Sequence, residues 1–129
     1  MNPELAARFA LEWIEAWNAH DIDRILSHYS EDIEMSSPVV ARVAGVPGGR
    51  LQGKQAVRAY WAKALALYPN LGFLHVCTMV GVDGLVIHYI GAAGRRVAEV
   101  LRFDREGLVT HAQACYEVMS ASGNDAGDS

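Results

Sequence analysis

The chain has 129 residues, 51% of them hydrophobic and 20% charged, with 11 Lys and Arg against 15 Asp and Glu and a formal net charge of -4. On a prior of about 150 residues per domain this is one domain, and the apolar fraction supports a core without disulfides or a structural metal. The arginines are scattered apart from Arg95 and Arg96, so a phosphate backbone finds no basic stripe, and we expect no nucleic-acid partner.

The apolar content slightly exceeds what a core requires, which points to a lined cavity or a subunit interface. Met1-Asn2-Pro3-Glu4 is neither basic nor followed by a charge-free apolar run, and no stretch approaches the roughly 20 apolar residues of a membrane span. We therefore expect a soluble cytoplasmic protein with no membrane partner. Cys77 and Cys115 are too few for a disulfide framework and lack zinc-site spacing, so they read as reduced thiols.

Asn2 followed by Pro3 is a helix start, a capping side chain with proline at the first helical position. Leu5, Ala6, Phe9, Ala10, Trp13, Ile14 and Trp17 recur at helical steps, which predicts a helix to about Asn18. Asp21 can cap a shorter helix that buries Ile22, Ile25, Leu26 and Tyr29. Ile33 and Met35 alternate with Glu34 and Ser36 in a short strand ended by Pro38. Residues 38–52 carry glycine and proline without a periodic signal and read as a loop, a lid beside a pocket mouth.

A third helix follows, with Ala56, Val57, Tyr60, Trp61, Ala64 and Leu65 on its inner face and Pro69 at its close. The period then changes to strands at roughly 71–80, 85–92, 95–104 and 108–118, joined by short turns that make antiparallel hairpins. Helices first and a meander after define an α+β fold: a curved antiparallel sheet closed by three helices from the N-terminal half. The domain spans 1–119. The small polar residues of the tail, 120–129, are expected to be disordered.

Centring each hairpin on its turn gives a cross-strand register. Placing the second turn between residues 93 and 94 sets His88 opposite Glu99, with Cys77 beside His88 and Ala112 beside Glu99. One face then carries His75, Cys77, Met79, Val86, His88, Ile90, Val97, Glu99, Leu101, Thr110, Ala112, Ala114 and Tyr116. It is mostly apolar, so it faces the helices, and Glu99 is its single acid. The other face, including Ile87, Tyr89, Val100, Arg102, His111, Gln113 and Cys115, mixes apolar and polar groups as a subunit interface does, and we expect a homodimer through it.

The runs Glu12-Trp13-Ile14-Glu15-Ala16-Trp17-Asn18-Ala19-His20-Asp21, Tyr29-Ser30-Glu31-Asp32-Ile33-Glu34 and Gly53-Lys54-Gln55-Ala56-Val57-Arg58-Ala59-Tyr60-Trp61 resemble the nuclear transport factor 2-like superfamily. Within it the chain is most similar to the SnoaL-like polyketide cyclases and the ketosteroid isomerases, over nearly all of its length to about residue 118. The resemblance implies a cone of curved sheet closed by helices around a deep apolar pocket, and dimers through the outer sheet face. It also implies functional positions. The isomerase's general base falls on Ser37, its oxyanion-hole tyrosine on Trp13, a supporting tyrosine on Trp61, and its protonated aspartic acid on Glu99. Only the last keeps its chemistry, so steroid isomerisation by that mechanism is not expected.

His88 and Glu99 are the catalytic candidates: a carboxylate beside an imidazole fixes its tautomer and supports acid/base work in isomerisation, cyclisation or hydration. The plainer alternative is a satisfied buried pair that shapes the pocket. Cys77, His88 and Glu99 could also form a nucleophile row, without a supporting oxyanion turn. His75, His88 and Glu99 lack a tight metal motif, so no metal and no cofactor are expected.

Gly48 to Lys54 approaches a phosphate loop, but Gln55 replaces the required Ser or Thr. Trp13, Trp17, Ser37, Tyr60, Trp61, Ala112 and Tyr116 are the ligand-binding candidates, suited to a small apolar or aromatic molecule with a few oxygens. Tyr29 is a further rim hydrogen-bonder, and His20 and His28 read as solvated helix ends. The functional expectation is a SnoaL-like enzyme on such a substrate, or a non-catalytic homodimer that binds a hydrophobic ligand.

Overall fold

Asn2 opens the first helix, α1 (Pro3–Asn18), by accepting the Glu4 and Leu5 N–H groups on its side chain at 2.7 and 3.3 Å. These two main-chain donors have no partner inside the helix, which is why the sequence starts it here. Its stripe buries Ala6, Ala10, Trp13, Ile14 and Trp17 as expected, whereas Leu5 is half exposed. The computed structural model describes residues 1–118, so the tail assigned to 120–129 lies outside the described residues. Among those described, no helix is long and apolar enough to cross a membrane.

Asp21 caps α2 (Ile22–Leu26) through the Arg24 N–H at 3.1 Å, and the chain turns into β1 (Tyr29–Ser36). The next segment departs from the sequence reading. Residues 38–52 are not a loop: they contain a fourth helix, α3 (Pro38–Ala44), and a short strand, β2 (Arg50–Gln52). Ser37 Oγ accepts the Val39 N–H at 3.1 Å, Pro38 takes the first helical position, and Gly45 ends the helix in the left-handed region at φ 71°. Two turns are too short to display a period, which is why Val39, Val40 and Val43 passed unread.

Gly49 lies against the Ser37 carbonyl so closely that a Cβ would stand 2.9 Å from the oxygen, and its own carbonyl accepts the Ser37 N–H at 2.9 Å. The α3–β2 return is thereby folded back on Ser37. Helix α4 (Lys54–Leu67) then buries Val57, Tyr60, Trp61 and Ala64.

The remaining strands are β3 (Leu74–Val80), β4 (Gly84–Ile90), β5 (Arg96–Phe103) and β6 (Val109–Tyr116). The sheet order is β2-β1-β6-β5-β4-β3, an open α+β sheet with the helices packed on one face. It is not wholly antiparallel, because β1 pairs with β6 in parallel, Met35 against Ala112.

The register of β4 corrects the face assignment. His88 pairs with Ala98 and Ile87 with Glu99, one residue away from the expected match. Five residues, 91–95, separate Ile90 from Arg96, so the hairpin centres on Ala93 and not between 93 and 94. Ala93 and Gly94 take this odd turn with φ of 58° and 73°. A one-residue slip exchanges the faces of a strand. Leu85, Ile87 and Tyr89 therefore enter the core, and Val86, His88 and Ile90 turn outward. A bulge in β3 between His75 and Cys77 likewise puts Cys77 and Met79 on the outer side. The expected faces of β5 and of β6 from Ala112 onward hold.

Candidate functional site

The inner face of the sheet and the aromatic stripes of α1 and α4 enclose a pocket. Its lining includes Trp13, Trp17, Ser37, Tyr60, Trp61 and Tyr116 from the expected set, together with Glu99. Ala112 is not part of it: it pairs with Leu101, one row deeper in the core. The cavity measures about 80 Å³. Ligand clefts run to about 300–1,000 Å³, so the closed pocket admits only a small ligand unless side chains move. Tyr68, Leu71, Gly91 and Ala92 also line a surface groove between the α4–β3 connection and the β4–β5 turn, which places the mouth there.

Glu99 is 4% exposed, held on the pocket wall by β5 between Ile87 of β4 and Ala114 of β6. Tyr89 donates its hydroxyl to Glu99 Oε1 at 3.1 Å, and no other hydrogen bond reaches the carboxyl from the described residues. Burial pushes the Glu99 carboxyl up to about 7, against the opposing pull of the Tyr89 hydrogen bond. Near neutral pH the group thus divides between a proton donor and a carboxylate.

Phenols surround it. Tyr29, Tyr60, Tyr89 and Tyr116 all feel the Glu99 charge, and burial, the larger cause in each, raises all four above the ordinary phenol range, Tyr116 to about 12. Each stays protonated and able to donate. Ser37 lines the pocket together with Tyr60 and Tyr116, so the cap of α3 meets α4 and β6 there. Trp13 Nε1–H donates to the Tyr29 hydroxyl at 2.9 Å and is not directed at a ligand. Tyr29 itself is fully buried and is no rim residue.

The expected His88–Glu99 pair does not form. His88 lies on the outer face, its Nδ1 3.8 Å from Cys77 Sγ, so the Cys77–His88 neighbourhood holds while Glu99 is on the other side of the sheet. His75 meets the Thr78 hydroxyl at 2.8 Å and stays apart from both. His20 and His28 are not free helix ends: His20 Nε2 meets the Leu71 carbonyl at 2.6 Å, and His28 Nε2 meets Glu12 at 3.2 Å.

Residues missed by the sequence reading are Tyr89, Phe73, Met35, Val39 and Tyr68. For Tyr89 the sequence offers no local signal, because its face depends on the five residues, 91–95, that the structure places between Ile90 and Arg96. For Val39 the signal was the Ser37-Pro38 cap, which announces a helix as Asn2-Pro3 does.

An open sheet wrapped on helices, with an aromatic pocket between them, defines the class of cystatin-like and SnoaL-like folds. The family model for the SnoaL-like domain matches residues 10–112, and the chain belongs to that family. A SnoaL-like protein of unknown function from Burkholderia thailandensis is 49% identical, with a TM-score of 0.87 over 91% of this chain and 98% of that one. A protein of cystatin-like fold from Methylobium petroleophilum, 17% identical, has a TM-score of 0.73 over 96% and 83%. TerC, crystallised with polyporic acid, is 16% identical with a TM-score of 0.72 over 87% and 91%. These two share the fold. No protein of curated function matches the chain significantly.

Proposed function

We propose that the pocket binds a small, largely apolar oxygenated molecule, and that Glu99 moves a proton on it as general acid and base. The supporting observation is the Glu99 carboxyl itself, buried on the wall of an aromatic pocket with one phenol as partner. Such a group costs stability unless it is paired or neutralised, so its presence on a pocket wall favours a functional reading. A carboxyl poised near 7 can take a proton from a carbon beside a carbonyl and return it elsewhere, which is the step shared by isomerisation, enolic cyclisation and dehydration. Tyr89 is a positioning residue, because its hydroxyl orients Oε1.

The experiment is solvent exchange: cyclohexanone in D2O with the protein, followed by proton NMR. Deuterium entering beside the carbonyl faster than with Glu99→Gln supports the proposal, and equal rates overturn it.

A second reading, ligand binding without turnover, draws support from Ser37. The position where the resemblance puts the general base holds a hydroxyl that caps α3, so the group the resemblance assigns to proton abstraction is absent. In either reading we propose a homodimer through the outer sheet face, where Met79 and Val100 are exposed in one cross-strand row with Val86. Val100→Asp should halve the mass measured by light scattering.

A further inference from the structure

Eight of the eighteen residues lining the pocket are aromatic, one is acidic, and none is Lys, Arg or His. An aromatic face carries negative charge density, so indole, phenol and benzyl faces around a carboxyl all favour the same ligand charge. The Glu99 carboxyl feels burial and the Tyr89 hydroxyl, and among the described residues no Lys, Arg or His hydrogen-bonds to it or lines the pocket beside it. Two arginines lie behind this end of the lining without being part of it: Arg95 stands over the Tyr116 ring, 5.4 Å from its centroid, and Arg42 bears on the Tyr60 and Tyr116 phenols.

We propose that the pocket selects a ligand bearing a positively charged nitrogen, an alkylammonium group seated against Glu99 and the surrounding aromatic faces. This rests on the reading that the pocket is the ligand site, and on no turnover there. The cation supplies the counter-charge that the ionised carboxyl lacks. The phenols of Tyr29 from β1, Tyr60 from α4, Tyr89 from β4 and Tyr116 from β6 face Glu99 and remain neutral between pH 6 and 8.5, since all four are raised. Of Glu99 and these four phenols, Glu99 is therefore the one that changes charge in that interval.

Choline and its uncharged isostere 3,3-dimethylbutan-1-ol test this by calorimetric titration of the full chain at pH 6 and pH 8.5. The expected result is choline binding about tenfold tighter than the alcohol at pH 8.5, a preference that shrinks at pH 6. Glu99→Gln, close to isosteric, should remove the preference for choline over the alcohol. Should that variant misfold, the two pH values on the unaltered protein carry the test. Alcohol binding equal to or tighter than choline at both pH values overturns the cationic ligand and leaves the pocket reading standing. A preference for choline over the alcohol that survives Glu99→Gln also overturns it, since the cation then sits elsewhere. Binding of neither probe overturns both.

Discussion

Asn18 grips Phe73 by both of its main-chain groups: the side-chain carbonyl accepts the Phe73 N–H at 2.7 Å, and the side-chain amide donates to the Phe73 carbonyl at 3.1 Å. The last residue of α1 thereby fixes the entry to β3 beside the pocket mouth. Phe73 turns inward from this clamp, its ring 4.2 Å from that of Tyr89 and 5.3 Å from that of Trp17, centroid to centroid.

Asn18→Ala removes both bonds. At a net worth of about 1 kcal/mol each, less where water competes, the variant should lose about 1–2 kcal/mol in urea unfolding. Its indole emission should also change, because Phe73 packs on Trp13 and Trp17. Unchanged stability and emission would mean that the clamp carries no load.

Glu99 makes folding depend on pH in a direction that can be stated. Its folded value, about 7, lies above the ordinary 4.5, so between these values the native chain holds more protons than the unfolded one. Stability from this group is therefore full below about 4.5, falls as pH rises, and is lost above about 7. The whole span is on the order of 3 kcal/mol. Glu99→Gln should be more stable than the unaltered protein at pH 8, with the gap closing toward pH 4.5, read by thermal melts across that range.

Gly84 starts β4 so close to β5 that an added Cβ would stand 2.2 Å from the Leu101 carbonyl oxygen. That backbone oxygen is fixed by the sheet and cannot swing aside. Gly84→Ala should cost about 1–3 kcal/mol or more in chemical denaturation, and a neutral result would show that β4 can move away from β5.

His88 and Tyr89 are neighbours in sequence and opposite in consequence. Tyr89→Phe removes the hydroxyl that lowers the Glu99 proton affinity, so the Glu99 titration, followed by carboxyl carbon NMR, should move above about 7. His88→Ala, on the outer face, should leave that titration and pocket binding where they were. A shift from the His88 substitution instead would mean that the imidazole reaches the pocket.

Most of the fold could be read from the chain because its signals are local. The caps Asn2 and Asp21, the stripe from Ala6 to Trp17, and the change of period after Pro69 each follow from a few adjacent residues. Glu99 was also legible, since a lone acid between Val97 and Leu101 stands out on its own strand. Its partner was not, because the partner depends on how two strands register across a five-residue turn with Ala93 in the left-handed region. Nothing local distinguishes that turn from one of even length, and the difference replaced Tyr89 with His88. The parallel pairing of β1 with β6 is a tertiary choice of the same kind.

The carboxyl carbon titration of Glu99 in the folded protein, with and without choline, measures most directly whether this residue is the chemically active group of the pocket. The expected midpoint is near 7 alone, moving to lower pH when the cation binds beside the carboxylate. A midpoint in the ordinary carboxylate range, unmoved by any ligand, would contradict the assignment of Glu99 as the buried acid at the centre of the site.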